Sequence, residues 1–261
     1  MCLLFFSYKT TPGYKLVLAA NRDEFLVRPT EPLAFLDSRK TILAGRDVQG
    51  GGTWLGITSG LKLGALTNYR AVADNRLGAP SRGEILMDYF NGKNRAQDCI
   101  QSLAVKGARY NGFNVIMGDD EGLYYYSNRG PEPRALEPGF YGLCNHLLDT
   151  PWPKVRRGKE LLRSAMVASG RIDHHQIFSL LEDSWCPPQE QLPDTGVGQE
   201  WEQLLSSMFI DGETYGTRSS AVITIDAEDR VEFTEKSYYR SPSKDRPYAF
   251  VVTFQLNADV F

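Results

Sequence analysis

No long run of Lys or Arg, no apolar stretch of membrane length, no repeat and few histidines occur in this 261-residue chain, and each shortage removes a class of function. Net charge is −3 at pH 7, from 29 basic and 32 acidic residues. Without a basic patch, binding to nucleic acid or to an anionic membrane has no electrostatic support. The opening run from Met1 to Lys9 has no basic region before it and no small-residue cleavage site after it, so it does not read as a signal peptide. It is also far too short to span a bilayer. A cytoplasmic protein is expected, with a small-molecule or protein partner and no stable membrane insertion. His146, His174 and His175 form no metal-binding set. Cys2, Cys99, Cys144 and Cys186 show no C-x-x-C spacing, which argues against structural zinc and a disulfide framework and fits a reducing compartment. Gly50-Gly51-Gly52 lacks the Lys of a phosphate-binding loop and its strand-to-helix setting, so no nucleotide cofactor is expected.

What the chain does have is 42% hydrophobic and 11% aromatic residues, enough for one core, and a single domain over 1–261 is expected. Residues 2–9 and 14–21 predict a hairpin around Thr10-Thr11-Pro12-Gly13. Strands are further predicted at 41–44, 53–58, 61–68, 112–117, 123–127, 220–226, 231–236 and 250–256. Between them, Ser81 with Glu84 reads as a capping box, Asn94 as the cap of a second helix burying Cys99, Ile100 and Leu103, Pro151 and Pro153 as a helix start, and Asp173 as a fourth cap. His174 and His175 then fall on an exposed helix start, and 186–198 reads as a loop. Strands, helices and strands without regular βαβ alternation favour an α+β fold with mainly antiparallel sheets.

The first chemical candidate is Cys2. A small second residue lets the initiator Met be removed, which leaves a thiol and an α-amine on one residue. That amine ordinarily titrates near ~7.7 to 8.0, close enough to working pH to accept the thiol proton. The competing reading is a small apolar filler in a strand. Asn21-Arg22-Asp23-Glu24 follows an apolar strand that returns beside residue 2, as an orienting site or as a solvated turn. Asn68 and Asn145 each close an apolar run, as oxyanion donors or as turn formers. Arg218 precedes a strand, as an inward anchor or as a surface cation. Cys186-Pro187 is similar to a short haem-regulatory element, although loop chemistry explains it equally.

Taken together, Met1-Cys2, Leu18 to Phe25 and Gly51-Gly52-Thr53-Trp54-Leu55-Gly56 resemble the NRDE family, also called the transport and Golgi organization family. Ala65 to Tyr69, Tyr110 to Asn114, Ser127 to Gly130, Tyr141 to Asn145, Thr150-Pro151-Trp152 and Tyr215 to Arg218 continue the resemblance over nearly the whole chain. Through that family the chain is distantly similar to choloylglycine hydrolase and penicillin V acylase. That implies a four-layer αββα sandwich of the N-terminal-nucleophile (Ntn) hydrolase type. It also implies Cys2 as nucleophile, Asn145 as the oxyanion asparagine and Arg218 as the late active-site arginine. Those hydrolases place an arginine and, three residues on, an aspartate after the second strand. Here Asn21 and Glu24 hold that spacing, with Arg22 and Asp23 between them. The NRDE resemblance further implies intracellular haem binding and trafficking, with an amidohydrolase using Cys2 as the alternative. For haem, Cys2 would be the iron ligand, Arg22 or Arg218 would pair with a propionate, and Trp54, Tyr69 and Phe113 would face the macrocycle or else sit in the core.

Overall fold

The computed structural model describes residues 2–71, 73, 75–239 and 248–256. Met1, whose removal the sequence reading requires, lies outside them. Two compact units are present, and neither is a continuous stretch of sequence. One is built from the segments through Val27, Pro138–Cys144 and Leu148 onward; the other comprises Arg28–Glu137 and Asn145–Leu147.

The first unit holds a six-stranded sheet in the order β10-β1-β2-β11-β12-β13. Its strands are β1 (Cys2–Tyr8), β2 (Tyr14–Phe25), β10 (Gly139–Leu143), β11 (Tyr215–Asp226), β12 (Val231–Tyr239) and β13 (Tyr248–Leu256). The expected N-terminal hairpin is present, with Cys2 opposite Arg22 and Leu3 opposite Asn21. Two helices, α3 (Pro153–Ser169) and α4 (His174–Leu181), cover one face. Leu3, Phe5, Val17 and Ala19 alternate onto that face and join Val155, Leu162, Ile177 and Leu181 in one core cluster. Gly158 lets α3 lie close, because a methyl there would overlap the Phe5 ring. Asp173 caps α4 as expected, its carboxylate accepting from the His175 amide at 2.8 Å.

The second unit holds a seven-stranded sheet running β3 to β9 in sequence order. Its strands are β3 (Thr30–Phe35), β4 (Ile42–Asp47), β5 (Leu55–Thr58), β6 (Leu63–Asn68), β7 (Phe113–Gly118), β8 (Leu123–Ser127) and β9 (Arg134–Ala135). Helices α1 (Gly83–Asn91) and α2 (Ala96–Lys106) bury Leu86, Tyr89, Phe90, Ile100 and Leu103 against Phe113, Val115 and Met117. Every pairing among the described strands is antiparallel, so the class is α+β. The two sheets and two helical layers that an αββα sandwich requires are all present.

Several local expectations are corrected. Neither Ser81 nor Asn94 caps its helix: the N-caps are Arg82 and Arg95. Glu84 instead accepts from the Tyr110 hydroxyl, and Asp119 on the β7 to β8 turn accepts from the Ala96 amide. Cys99 is only half-buried. His174 is buried rather than exposed, its ring hydrogen-bonded to Thr234 Oγ1 at 2.9 Å. The 186–198 segment contains a 3-10 turn at Gln189–Gln191, and α5 (Gln199–Leu204) follows it. The triple glycine is a turn: Gly51 adopts φ 71°, and Gly52 meets the Gly83 backbone so closely that no side chain fits.

Candidate functional site

The Asn21 to Glu24 quartet belongs to β2 itself rather than to a turn after it. Strand alternation therefore splits the quartet. Asn21 and Asp23 point to the helix-bearing face, while Arg22 and Glu24 point to the other, which Cys2 shares through its register with Arg22. Cys2, Arg22 and Asp23 are all buried. Burial pushes the Cys2 thiol up to about 11, with the positive amino terminus and then Arg22 pulling the other way.

On the far side of β2, Ser219 pairs with Arg22 and Thr217 with Asp23, and the register shifts between them. Arg218 is thus the extra residue of a β-bulge, which re-aims its side chain. Its Nη1 donates to the Phe25 carbonyl at 3.0 Å. Burial, and then the neighbouring Arg22, lower its proton affinity, so two guanidinium groups feel each other on the strand pair beside Cys2. Asp23 accepts from Thr217 Oγ1 at 2.8 Å, and the Tyr215 hydroxyl donates to the Asp23 carbonyl at 2.8 Å. Burial raises the Asp23 carboxyl above its ordinary value, with Lys154 the strongest opposing influence.

Asn21 is committed elsewhere. Its amide donates to the Leu181 and Met208 carbonyls at 2.9 and 2.8 Å, and its oxygen accepts from Ser220 Oγ at 2.6 Å. It ties α4, the loop before β11, and β11 to the sheet. Within the second unit, Asn145 donates from Nδ2 to the Asn68 carbonyl at 3.0 Å, and its own carbonyl accepts from the Arg70 amide at 2.7 Å. The neighbouring His146 ring lies 4.9 Å from that of Tyr69, and burial with Arg70 keeps His146 below its ordinary proton affinity. Expected site residues thus gather in two groups: Cys2, Arg22, Asp23 and Arg218 in one unit, Asn68 and Asn145 in the other. Phe113 is wholly inside the second unit's core and faces no ligand.

Sequence reasoning missed Lys154, the second residue of α3, which is buried and donates to the Leu205 carbonyl at 2.7 Å. The signal was present: a cation in the first turn, where helices favour acids. Among the described residues, no group of three or more His, Cys, Asp or Glu is placed to hold a metal ion, and no helix is long and apolar enough to cross a membrane.

These features define an α+β protein whose first strand presents a cysteine among buried charges. The family model described as Transport and Golgi organisation 2 matches residues 1–240, so the chain belongs to that family. The mouse Transport and Golgi organization 2 homolog is 38% identical over 260 residues, covering 91% of this chain and 93% of the relative. Its human counterpart is 37% identical over 258 residues with the same coverages, and the Drosophila melanogaster protein is 30% identical over 261, covering 91% and 92%. Among solved structures, the Caenorhabditis elegans N-acylethanolamine-hydrolyzing acid amidase ortholog aligns with TM-score 0.49 and 13% identity, covering 85% of this chain and 92% of that one.

Proposed function

We propose that the chain is an amide hydrolase whose nucleophile is Cys2, exposed as the first residue once Met1 is removed. The observation that carries this reading is the placement of Cys2 at the start of β1, on one strand face with Arg22 and beside the bulge at Arg218. The thiol adds to an amide carbonyl, forming an S–C bond and passing its proton to its own α-amine. That proton then goes to the leaving nitrogen as the C–N bond breaks. Water hydrolyses the thioester, releasing the acid and restoring the thiol. A cytoplasmic setting accords with four free cysteines.

Haem binding and trafficking is the second reading, favoured by the two arginines: Arg22 and Arg218 are cations suited to propionates. An absorbance titration with haem separates the two. A saturable shift at about one haem per chain, lost in R22A/R218A, supports carriage, whereas nonspecific broadening leaves the hydrolase reading alone.

A further inference from the structure

The β1 to β2 turn, the end of α3 and the β11 to β12 turn line a cavity of about 530 Å³. That volume falls within the roughly 300 to 1,000 Å³ of small-molecule sites. The cavity lies wholly within the first unit, at the other end of the six-stranded sheet from Cys2. Tyr14 on its wall pairs with Asp226, whereas Cys2 pairs with Arg22, eight residues further along β2. At ~3.3 Å per strand residue, about 26 Å separates the two places.

The charges on the cavity wall are unequally satisfied. Arg230 holds Asp226 at 2.6 Å and Glu228 at 2.9 Å, so these three close on one another. Arg171 does not take part. Gly170, at φ 54°, ends α3 in the left-handed region and turns the chain so that Arg171 follows on the wall. Among the described residues the Arg171 guanidinium makes no hydrogen bond and no ion pair. Glu232 of β12 lies on the same wall with its side chain 38% exposed, and its charged-group neighbour is the His174 ring, Nδ1 standing 3.7 Å from Oε1. Burial keeps that ring below its ordinary proton affinity and neutral, so the Glu232 charge stands uncompensated. Behind them, buried Thr224 lines the cavity and hydrogen-bonds with His174 Nε2 at 3.4 Å. The Tyr14 hydroxyl accepts from the Ile172 amide at 3.2 Å and keeps its own proton to donate. An uncommitted cation and an uncommitted anion thus share one cavity without pairing. A molecule carrying both charges on a short frame answers both at once, whereas a singly charged one answers only half.

We propose that this cavity binds a zwitterion of amino-acid or short-peptide size, its carboxylate on Arg171 and its ammonium on Glu232. The site is separate from Cys2 and does not depend on how Cys2 is read.

The test is NMR of the full chain carrying 13C-histidine. His174, identified by the resonance lost in His174→Gln, reports from beside Glu232, and His146, in the other unit, is the control. L-Alanine, L-glutamine and L-alanyl-L-glutamine are titrated in turn, with propionate and ethylamine as singly charged probes. A zwitterion is expected to shift the His174 resonance saturably, and neither propionate nor ethylamine to do so at the same concentration. Arg171→Ala and Glu232→Gln, both at solvent-accessible side chains, are each expected to raise the midpoint about tenfold or more, as loss of one charge-assisted hydrogen bond does. Cys2→Ala leaves the midpoint unchanged. Saturation by the amino acids assigns a free amino acid as ligand, and saturation by the dipeptide alone assigns a peptide. No saturable shift with any of the three zwitterions, an equal shift with propionate or ethylamine, or an unaltered midpoint in either charge variant overturns the inference.

Discussion

Replacing Asn21 with Ala separates architecture from chemistry at the strand that carries the site. The side chain is 1% exposed and makes three hydrogen bonds: to the Leu181 and Met208 carbonyls at 2.9 and 2.8 Å, and from Ser220 Oγ at 2.6 Å. Ser220 retains the Tyr238 hydroxyl at 3.1 Å, so its loss is softened. Two buried carbonyls keep no such substitute, at about 1 to 3 kcal/mol each. The variant is expected to lose about 3 kcal/mol of unfolding free energy. For a chain of this length, that lowers the thermal midpoint by about 6 to 12 °C. Differential scanning calorimetry measures it, with Cys2 alkylation by iodoacetamide below the transition as the control for an intact site. Unchanged stability with a lost Cys2 reaction would return Asn21 to the chemistry.

Gly158→Ala places a methyl inside the Phe5 ring, so α3 must move off β1; a loss of about 1 to 3 kcal/mol is expected in urea unfolding, and a neutral result would contradict the packing. Burial holds His174 below its ordinary proton affinity, with Glu232 opposing, so the ring is neutral in the folded protein. The stability this gives is complete above about pH 6.5 and is lost as pH falls through the folded value. His174→Gln should therefore show a smaller drop in urea midpoint between pH 7.5 and 5.5 than wild type; an equal drop would place the acid sensitivity elsewhere.

Much of the fold was legible because its strands are strongly apolar and punctuated. The β1 to β2 hairpin, β6 to β8 and β11 to β12 follow from alternation and from Gly or Asp turns. Less visible were β3 and β10, the former too mixed in polarity to stand out and the latter interrupted by two glycines. Cap chemistry failed where a tertiary partner supplied it: Asp119 satisfies the Ala96 amide, which no local spacing reveals. His174 shows the same limit, since its polarity suggested solvent while Thr234 and Thr224 provide its partners from strands 50 to 60 residues away. At the site, Cys2, Arg22 and Arg218 were readable as residues, but the bulge that sets Arg218 apart is a register property and leaves no mark in composition. Lys154 was overlooked because a lysine near a helix start ordinarily faces water.

Intact-protein mass spectrometry shows whether Cys2 reacts as an N-terminal nucleophile. The purified chain is incubated with hexanoyl and palmitoyl p-nitroanilides and quenched in acid. Loss of Met1, together with an acyl adduct that is absent in Cys2→Ala, is the expected result; a retained Met1, or an adduct that survives that substitution, would remove Cys2 as the nucleophile.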